Sequence, residues 1–194
     1  MPLSRHQYMY NPYKVWFRTY VRKMRGMAHS NSRPQVREAV VTFCCCFVGV
    51  GVLGALVQLH LGSMEGLMLI PSFGASSLMV FGAPLSPFAQ PRNVVGGHII
   101  SALCGVFAYN MFGAGWPAAA LAVALAGAFM HLTSTLHPPG GATALLAVIG
   151  DPRIIHQGYS YAFLPVGVGM MIIVLLAVIL NNLVLHRQYP THWR

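Results

Sequence analysis

Long runs without a charged residue fill most of the chain after its first 37 positions. Residues 39–64, 66–91, 93–150 and 154–186 contain no Asp, Glu, Lys or Arg. A helix that crosses the hydrocarbon core of a bilayer needs about 20 mainly apolar residues, so these runs can hold several crossings. The pattern predicts four continuous spans, at about Glu38 to Leu61, Val94 to Phe112, Trp116 onward and Ala162 to Leu185.

Two further apolar elements are broken by proline and glycine. The first break is Pro71-Ser72-Phe73-Gly74, and the second is His137-Pro138-Pro139-Gly140-Gly141. At an offset of 67 both copies follow the pattern Pro-x-x-Gly-Ala-Ser/Thr-small-Leu-apolar, and each then reaches a Gly-x-Pro. The match predicts an internal duplication, of the kind found in transporters, in which each half is a span, a broken element and a span. Two simple kinks in packed helices are the alternative interpretation.

The broken elements are long enough to cross the membrane. Residues 133–138, if extended, cover about 20 Å, and a helix over 139–150 adds about 18 Å, which together exceed the roughly 30 Å hydrocarbon core. We therefore expect an all-α membrane protein of about six membrane elements. These would form two inverted three-element repeats, about 38–112 and 113–186, with broken second and fifth elements. Re-entrant elements are the alternative, and the positive-inside rule favours six crossings by a single residue.

The first 37 residues form a separate basic segment. Its aromatic and apolar residues recur at helical spacing, with cations between them, which predicts an amphipathic helix at the membrane surface; a helix that binds a partner protein is the alternative. By the positive-inside rule, residues 1–37 and the tail 187–194 are expected in the cytoplasm, on either side of a transmembrane domain 38–186. The predicted location is a membrane, with the bacterial inner membrane as the expected one.

Composition agrees with a membrane protein and excludes other classes. Charged residues make up 8% of the chain, whereas a soluble domain has about a quarter. The net charge of +9 does not indicate nucleic-acid binding, because eight of the twelve Lys and Arg residues lie before residue 38. The sequence has no metal-binding Cys and His spacing, no paired carboxylates and no nucleophilic triad. We therefore expect no metal, no cofactor and no enzyme activity.

The two breaks are the candidate binding site. Free N–H groups and the positive end of the dipole make a helix N-terminus an anion site without a formal charge, and inverted repeats would bring two such termini together near the midplane. The candidate substrate-binding residues are Ser72, Phe73, Gly74, Ala75, Ser76 and Ser77 on one side, and His137, Pro138, Pro139, Gly140, Gly141, Ala142 and Thr143 on the other.

Five polar residues are interpreted one by one, and three of them, Arg92, His137 and Asp151, have two interpretations each. Arg92, Asn93 and His98 are candidates for the pore mouth, although Arg92 is equally well explained as a cytoplasmic residue that sets topology. His137 can take up a proton near neutral pH, and its alternative is a neutral ring bound to a backbone carbonyl. Asp151 is expected to pair with Arg153 or to cap the next segment.

Three motifs in order resemble the HPP family of integral membrane proteins. They are Pro71-Ser72-Phe73-Gly74-Ala75-Ser76, then the run from Gln90-Pro91-Arg92-Asn93 to His98, and then the run from Leu136-His137-Pro138-Pro139 to Leu145. The resemblance covers about residues 38–186. It implies transport of a small anion, with nitrite as the best candidate. The family is usually described with about four spans, which is fewer than the six membrane elements expected here.

The sequence thus predicts a transporter or channel for a small monovalent anion. The alternative is a non-transporting membrane sensor or assembly subunit. The expected partners are the lipid bilayer and an inorganic anion such as nitrite, with a homodimer allowed by glycine-rich helix faces.

Overall fold

The protein is helical throughout the part that the structure describes. The computed structural model describes residues 12–24, 35–60 and 70–193, and no strand occurs among them. The helices are α1 (Pro12–Met24), α2 (Val36–His60), α3 (Pro71–Gly82), α4 (Pro91–Phe112), α5 (Trp116–Leu132), α6 (Gly140–Ile149), α7 (Pro152–Gln157) and α8 (Val168–Asn182). A short 3-10 turn, Pro87–Ala89, precedes α4, and the segment 158–167 joins α7 to α8. The chain divides after Gln35 into two units.

The helix predicted in the basic segment is present as α1. Its large side chains Trp16, Phe17, Tyr20 and Met24 are all exposed, and the rings of Trp16 and Tyr20 stack with their centroids 5.4 Å apart. The placement of α1 at a membrane surface stays a prediction. Residues 61–69, which include the end of the first predicted span, lie outside the described residues.

Among the described residues, three helical stretches are long and apolar enough to cross a bilayer. They are Val36–Leu56, Pro91–Phe112 and Pro152–Asn182, and they agree with three of the four continuous spans expected from the sequence. The fourth, α5, has 17 residues. The last stretch begins ten residues before the predicted Ala162 and is interrupted at Leu164, whose backbone is extended.

The two broken elements form short helices, α3 and α6. Proline is the first residue of α3, where its missing N–H costs no hydrogen bond, and two prolines precede α6 directly. At about 1.5 Å per residue the helices are about 18 Å and 15 Å long, roughly half of the hydrocarbon core. Each helix is therefore too short to cross the hydrocarbon core by itself.

Several contacts gather distant parts of the chain at one end of the transmembrane unit, which we call the Arg187 end. The Arg187 guanidinium bonds to Glu38 at the start of α2 and to the Phe81 carbonyl at the end of α3. The Tyr189 hydroxyl donates to the Ala89 carbonyl at 2.7 Å. The residues after α8 thus pack against the loop before α4, and the cytoplasmic location of the tail 187–194 stays a prediction.

The α4 helix is the centre of the packing, and glycines let its neighbours approach closely. A Cβ on Gly105 would overlap the Ala144 carbonyl oxygen of α6. A Cβ on Gly97 would lie 2.7 Å from the Thr135 carbonyl oxygen and 2.8 Å from the His137 Cβ. The backbone of α4 therefore lies directly against both α6 and the segment that leads into it.

Candidate functional site

Five polar side chains form a cluster in the interior of the transmembrane unit, which we call the polar cluster. They come from α3, α4, α6 and the segment before α6, and each has zero exposed surface: Ser72, Ser76, His98, His137 and Thr143. All five belong to the residues singled out from the sequence. The polar cluster is the candidate functional site.

The His98 ring lies between two hydroxyl groups. Its Nε2 is 2.7 Å from the Ser76 Oγ, and its Nδ1 is 2.7 Å from the Thr143 Oγ1. Ser76 and Thr143 occupy matching places in the two copies of the repeated motif. Corresponding residues of the two copies therefore contact opposite edges of one imidazole.

His137 is held at both ring nitrogens as well. Its Nδ1 lies 2.7 Å from the Phe88 carbonyl oxygen, and its Nε2 lies 2.9 Å from the Ser76 Oγ. The backbone carbonyl contact considered in the sequence analysis is thus present together with a contact to the site. The His98 and His137 ring centroids are 5.0 Å apart, and the Ser76 hydroxyl bridges the two rings.

The N-terminal turns of α3 and α6 meet directly. The Thr143 hydroxyl donates to the Ser72 Oγ at 2.9 Å, and these residues lie at the second position of α3 and the fourth of α6. The Phe73 ring packs edge-on against the His98 ring, with centroids 6.4 Å apart. The two broken elements thus join at the polar cluster.

The amide groups at the start of α6 are not free, so the free N–H groups expected at this helix N-terminus are absent. The amides of Gly140, Gly141 and Ala142 donate to the carbonyls of the residues three positions earlier, at 2.9 to 3.1 Å. The preceding Pro138 and Pro139 have no N–H to offer. The side-chain donors on this side are therefore the Thr143 hydroxyl and the imidazoles.

Most of the other predicted substrate-binding residues lie beside the polar cluster rather than in it. Gly74, Ala75 and Pro138 are exposed, whereas Pro139, Gly141 and Ala142 are half-buried. Gly140 is buried, and a Cβ there would lie 2.5 Å from the Ser101 Oγ. Ser77 is buried with no hydrogen-bond partner for its hydroxyl among the described residues. The sequence motif thus mixes residues that form the site with residues that position the helices.

The three pore-mouth candidates separate into two groups. His98 lies inside the polar cluster, because Gly97 allows α4 to approach the His137 segment closely. Arg92 and Asn93 lie at the Arg187 end and form hydrogen bonds with the segment that follows α5. The Arg92 guanidinium donates to the Thr133 carbonyl at 2.6 Å, and the Asn93 amide donates to the Leu136 carbonyl at 2.9 Å.

Two contributors to the site have no signal in the sequence. The Phe88 carbonyl fixes the orientation of His137, and as a backbone group it leaves no trace in residue type. The adjacent Ala89 carbonyl accepts from Tyr189, a residue near the end of the chain. The loop that holds His137 is therefore itself held by the segment after α8.

The pairing expected for Asp151 is confirmed. Its carboxylate accepts from the Arg153 backbone N–H at 2.8 Å and from the Arg153 guanidinium at 3.0 Å. The Arg153 guanidinium beside it lowers the pKa of the Asp151 carboxyl from its usual value. Asp151 caps α7 and has a structural role at this position.

Comparison with known proteins gives a family match and two relatives. A family model described as HPP, transmembrane region, matches residues 31–190. Two curated transmembrane proteins of Dictyostelium discoideum are 40% and 35% identical to the chain, over 184 and 189 residues, and each alignment covers 93% of this chain. The aligned parts are 59% and 65% of those relatives, so the chain spans about three fifths of their length. No solved structure matches the chain.

Proposed function

Because the chain belongs to the HPP transmembrane-region family, we propose that it carries a small monovalent anion, with nitrite as the first candidate, across the membrane through the polar cluster. The observation that carries this proposal is the junction of α3 and α6 at five fully buried polar side chains. Polar groups inside a membrane protein are costly, and they commonly mark a substrate or ion pathway. The chain is an integral membrane protein, and both the transport and the transported species are the proposal.

The chemistry of the polar cluster favours an anion over a cation. Its groups are hydroxyls and imidazoles, and α3, α4, α5, α6 and α8 contain no Asp or Glu among the residues described. Rings of carboxylates or carbonyls are the usual means of selecting cations. Hydroxyl donors with no fixed positive charge would hold an anion weakly enough to release it.

We further infer that the two halves are inverted and that the chain has six membrane elements. The contacts that support this inference lie at the Arg187 end, where α2 and α4 begin and where α3, α5 and α8 end. Between α5 and α6 the chain leaves that end at Thr133, reaches the polar cluster at His137 and continues along α4 through Gly105. In this arrangement α3 and α6 run from the polar cluster toward opposite membrane surfaces.

The positive-inside rule assigns the Arg187 end to the cytoplasm. Arg37, Arg92 and Arg187 lie at or near this end, whereas Arg153 follows α6 and lies away from it.

Since the polar cluster is sealed from both surfaces, transport requires a second conformation in which one short helix moves away from the other.

The direct test is uptake of nitrite into liposomes that contain the purified protein. Nitrate, formate, chloride and a cation serve as competitors, and empty liposomes measure the leak of nitrous acid. We expect saturable nitrite uptake that the Ser76→Ala variant lowers by about tenfold or more, since one buried hydrogen bond is worth about 1–3 kcal/mol. Folded protein that moves none of these anions contradicts the proposal.

A membrane sensor or assembly subunit is the second candidate. The exposed aromatic residues of α1 favour it, because Trp and Tyr on an exposed helix face suit either a membrane surface or a partner protein. Homodimer formation also stays a prediction. Removal of residues 1–30 distinguishes the two functions, since an anion transporter keeps its flux and an assembly subunit loses its complex.

A further inference from the structure

The Ser76 hydroxyl makes two hydrogen bonds that compete for one proton. Its oxygen lies 2.7 Å from the His98 Nε2 and 2.9 Å from the His137 Nε2. A hydroxyl has a single proton to donate. At most one of these nitrogens can therefore be the acceptor, and the other has to carry a proton itself.

At the His137 side the direction is fixed by a carbonyl group. The Phe88 oxygen can only accept, so the His137 Nδ1 at 2.7 Å donates to it. In a neutral imidazole the second nitrogen is then an acceptor. The Ser76 proton is therefore donated to the His137 Nε2.

At the His98 side the direction is fixed by a hydroxyl group. The Thr143 hydroxyl donates its one proton to the Ser72 Oγ, so it has none left for the His98 ring. The His98 Nδ1, 2.7 Å from the Thr143 Oγ1, is therefore the donor in that contact. A neutral His98 would then present an unprotonated Nε2 to Ser76, whose proton is already used.

We infer that the polar cluster binds one proton more than two neutral histidines hold, and that Ser76 relays this proton between His98 and His137 as the anion is carried. With the added proton on the His98 Nε2, every contact in the cluster has one donor and one acceptor. This inference rests on the proposed function, and it names the second species that is transported.

The relay is balanced and requires little movement. The N–H bond of the His98 Nε2 breaks as the Ser76 Oγ accepts that proton, and the Ser76 O–H bond breaks as the His137 Nε2 accepts the other. The positive charge passes from His98 to His137, and the hydroxyl is regenerated. The two nitrogens already lie within hydrogen-bond distance of the same oxygen.

Few titratable groups face the polar cluster from the elements packed against it. Arg92 and His131 are both exposed, and Arg92 is bound to the Thr133 carbonyl. The other titratable side chains described on these elements are Arg37, Glu38, Cys44, Cys45 and Cys46 on α2, Cys104 and Tyr109 on α4, and Tyr159 and Tyr161 after α7. Glu38 is bound to Arg187 at the Arg187 end. Among the described residues, none of these elements brings a carboxylate to the histidines.

Because no carboxylate among the described residues faces the two histidines, the charge of the added proton is balanced by the bound anion. A buried imidazolium without a partner charge is costly in an apolar interior, and so is a buried anion. Each therefore strengthens the binding of the other, and the coupling is reciprocal. The expected process is electroneutral symport of one proton with each anion.

The first measurement follows protons and nitrite together. Liposomes that contain the full chain and a pH-sensitive dye are given nitrite near neutral pH, with empty liposomes as the leak control. We expect one proton to enter with each nitrite, and no current when the membrane potential is clamped. Ser76→Ala should lose both fluxes together, whereas Ser101→Ala, a buried serine one turn from His98, and the exposed His131→Gln should keep them.

Two outcomes separate this inference from the proposed function. Nitrite flux that carries current and moves no protons overturns the proton relay and leaves anion transport standing. If no anion moves, the proposed function fails, and the proton site is then decided on the folded protein by NMR of 15N-labelled histidine with nitrite present.

The NMR measurement has its own internal control. We expect an imidazolium signal that His98→Gln or His137→Gln changes and that His131→Gln leaves in place. Ser72→Ala releases the Thr143 proton for the His98 Nδ1, so the proton occupancy of the cluster should fall about tenfold, and Ser101→Ala should leave it unchanged. The inference is wrong if both buried rings stay neutral at every pH at which the protein is folded, or if Ser72→Ala matches the unmodified chain.

Discussion

Ser76 and Thr143 are 67 positions apart in the sequence, and each lies 2.7 Å from a different nitrogen of the same histidine ring, that of His98. They are matching residues of the repeated motif. Matching residues of the repeated motif thus form two sides of one site, while the imidazole between them comes from α4, which is outside the motif. We expect the proposed anion transport to depend on both hydroxyls.

Thr143→Val should lower anion transport without a large change in the fold of the protein. The substitution removes the hydroxyl that connects the His98 Nδ1 to the Ser72 Oγ and leaves a buried donor unpaired, at a cost of about 1–3 kcal/mol. We expect at least about a tenfold loss of anion uptake and a lower unfolding temperature in detergent. Thr191→Val, on the exposed end of the chain, is the matched control.

A double-mutant cycle checks whether Ser72 and Thr143 act as a pair. Because Thr143 donates to Ser72, the loss from Ser72→Ala and Thr143→Val together should be smaller than the sum of the two single losses. The unfolding free energies of the four proteins give the coupling. Fully additive effects would contradict the direct contact between the ends of α3 and α6.

Gly140 is the glycine at which α6 needs close packing. A Cβ there would lie 2.5 Å from the Ser101 Oγ, whereas one at Gly127 meets nothing within 4 Å. Gly140→Ala should destabilise the protein by about 1–3 kcal/mol through overpacking, and Gly127→Ala should not. The result is read from thermal unfolding, and the added Ser101→Ala should recover part of the loss in Gly140→Ala. A Gly140→Ala protein as stable as the Gly127→Ala protein would argue against the close approach of α4 and α6.

Much of this arrangement could be predicted from the sequence, and the exceptions have physical causes. Charge-free runs predicted α2, α4 and α8, because membrane length and hydropathy fix them, and the proline breaks predicted α3 and α6. The depth of His98 could not be predicted, since it depends on the close approach that Gly97 permits. The contact between the Phe88 carbonyl and His137 could not be predicted either, because a backbone carbonyl is present whatever the residue type.

Arg187 should be the most important cation for stability. Its side chain is 4% exposed and bonds to Glu38, the Phe81 carbonyl and Asn181. Arg187→Gln leaves these partners unpaired, and hydrogen bonds to charged groups are worth about 1.5–3 kcal/mol each. We expect a fall in unfolding free energy of about 2 kcal/mol or more. Arg153→Gln breaks an ion pair that is about half exposed and should cost less than about 1 kcal/mol.

The proposed inverted arrangement predicts which residues share a membrane face. Thr191 follows α8 near the Arg187 end, and Ser160 lies in the segment between α7 and α8; both are exposed. In a chain whose four cysteines are replaced by alanine, Thr191→Cys should react with an impermeant thiol reagent only from the cytoplasmic side, and Ser160→Cys only from the opposite side. Labelling of both from the same side would exclude the proposed topology.

The exposed face of α1 decides between the two candidate functions. Trp16, Phe17 and Tyr20 are each about half exposed or more, and on a basic helix such rings insert into the interface of anionic membranes. Replacement of the three by serine should weaken binding of the N-terminal segment to anionic vesicles and leave nitrite uptake by the reconstituted chain within about twofold, since the polar cluster lies wholly in α3 to α6. Uptake that disappears with these side chains, while the transmembrane unit stays folded, would mean that α1 takes part in transport and would weaken the separation between anchor and transport core.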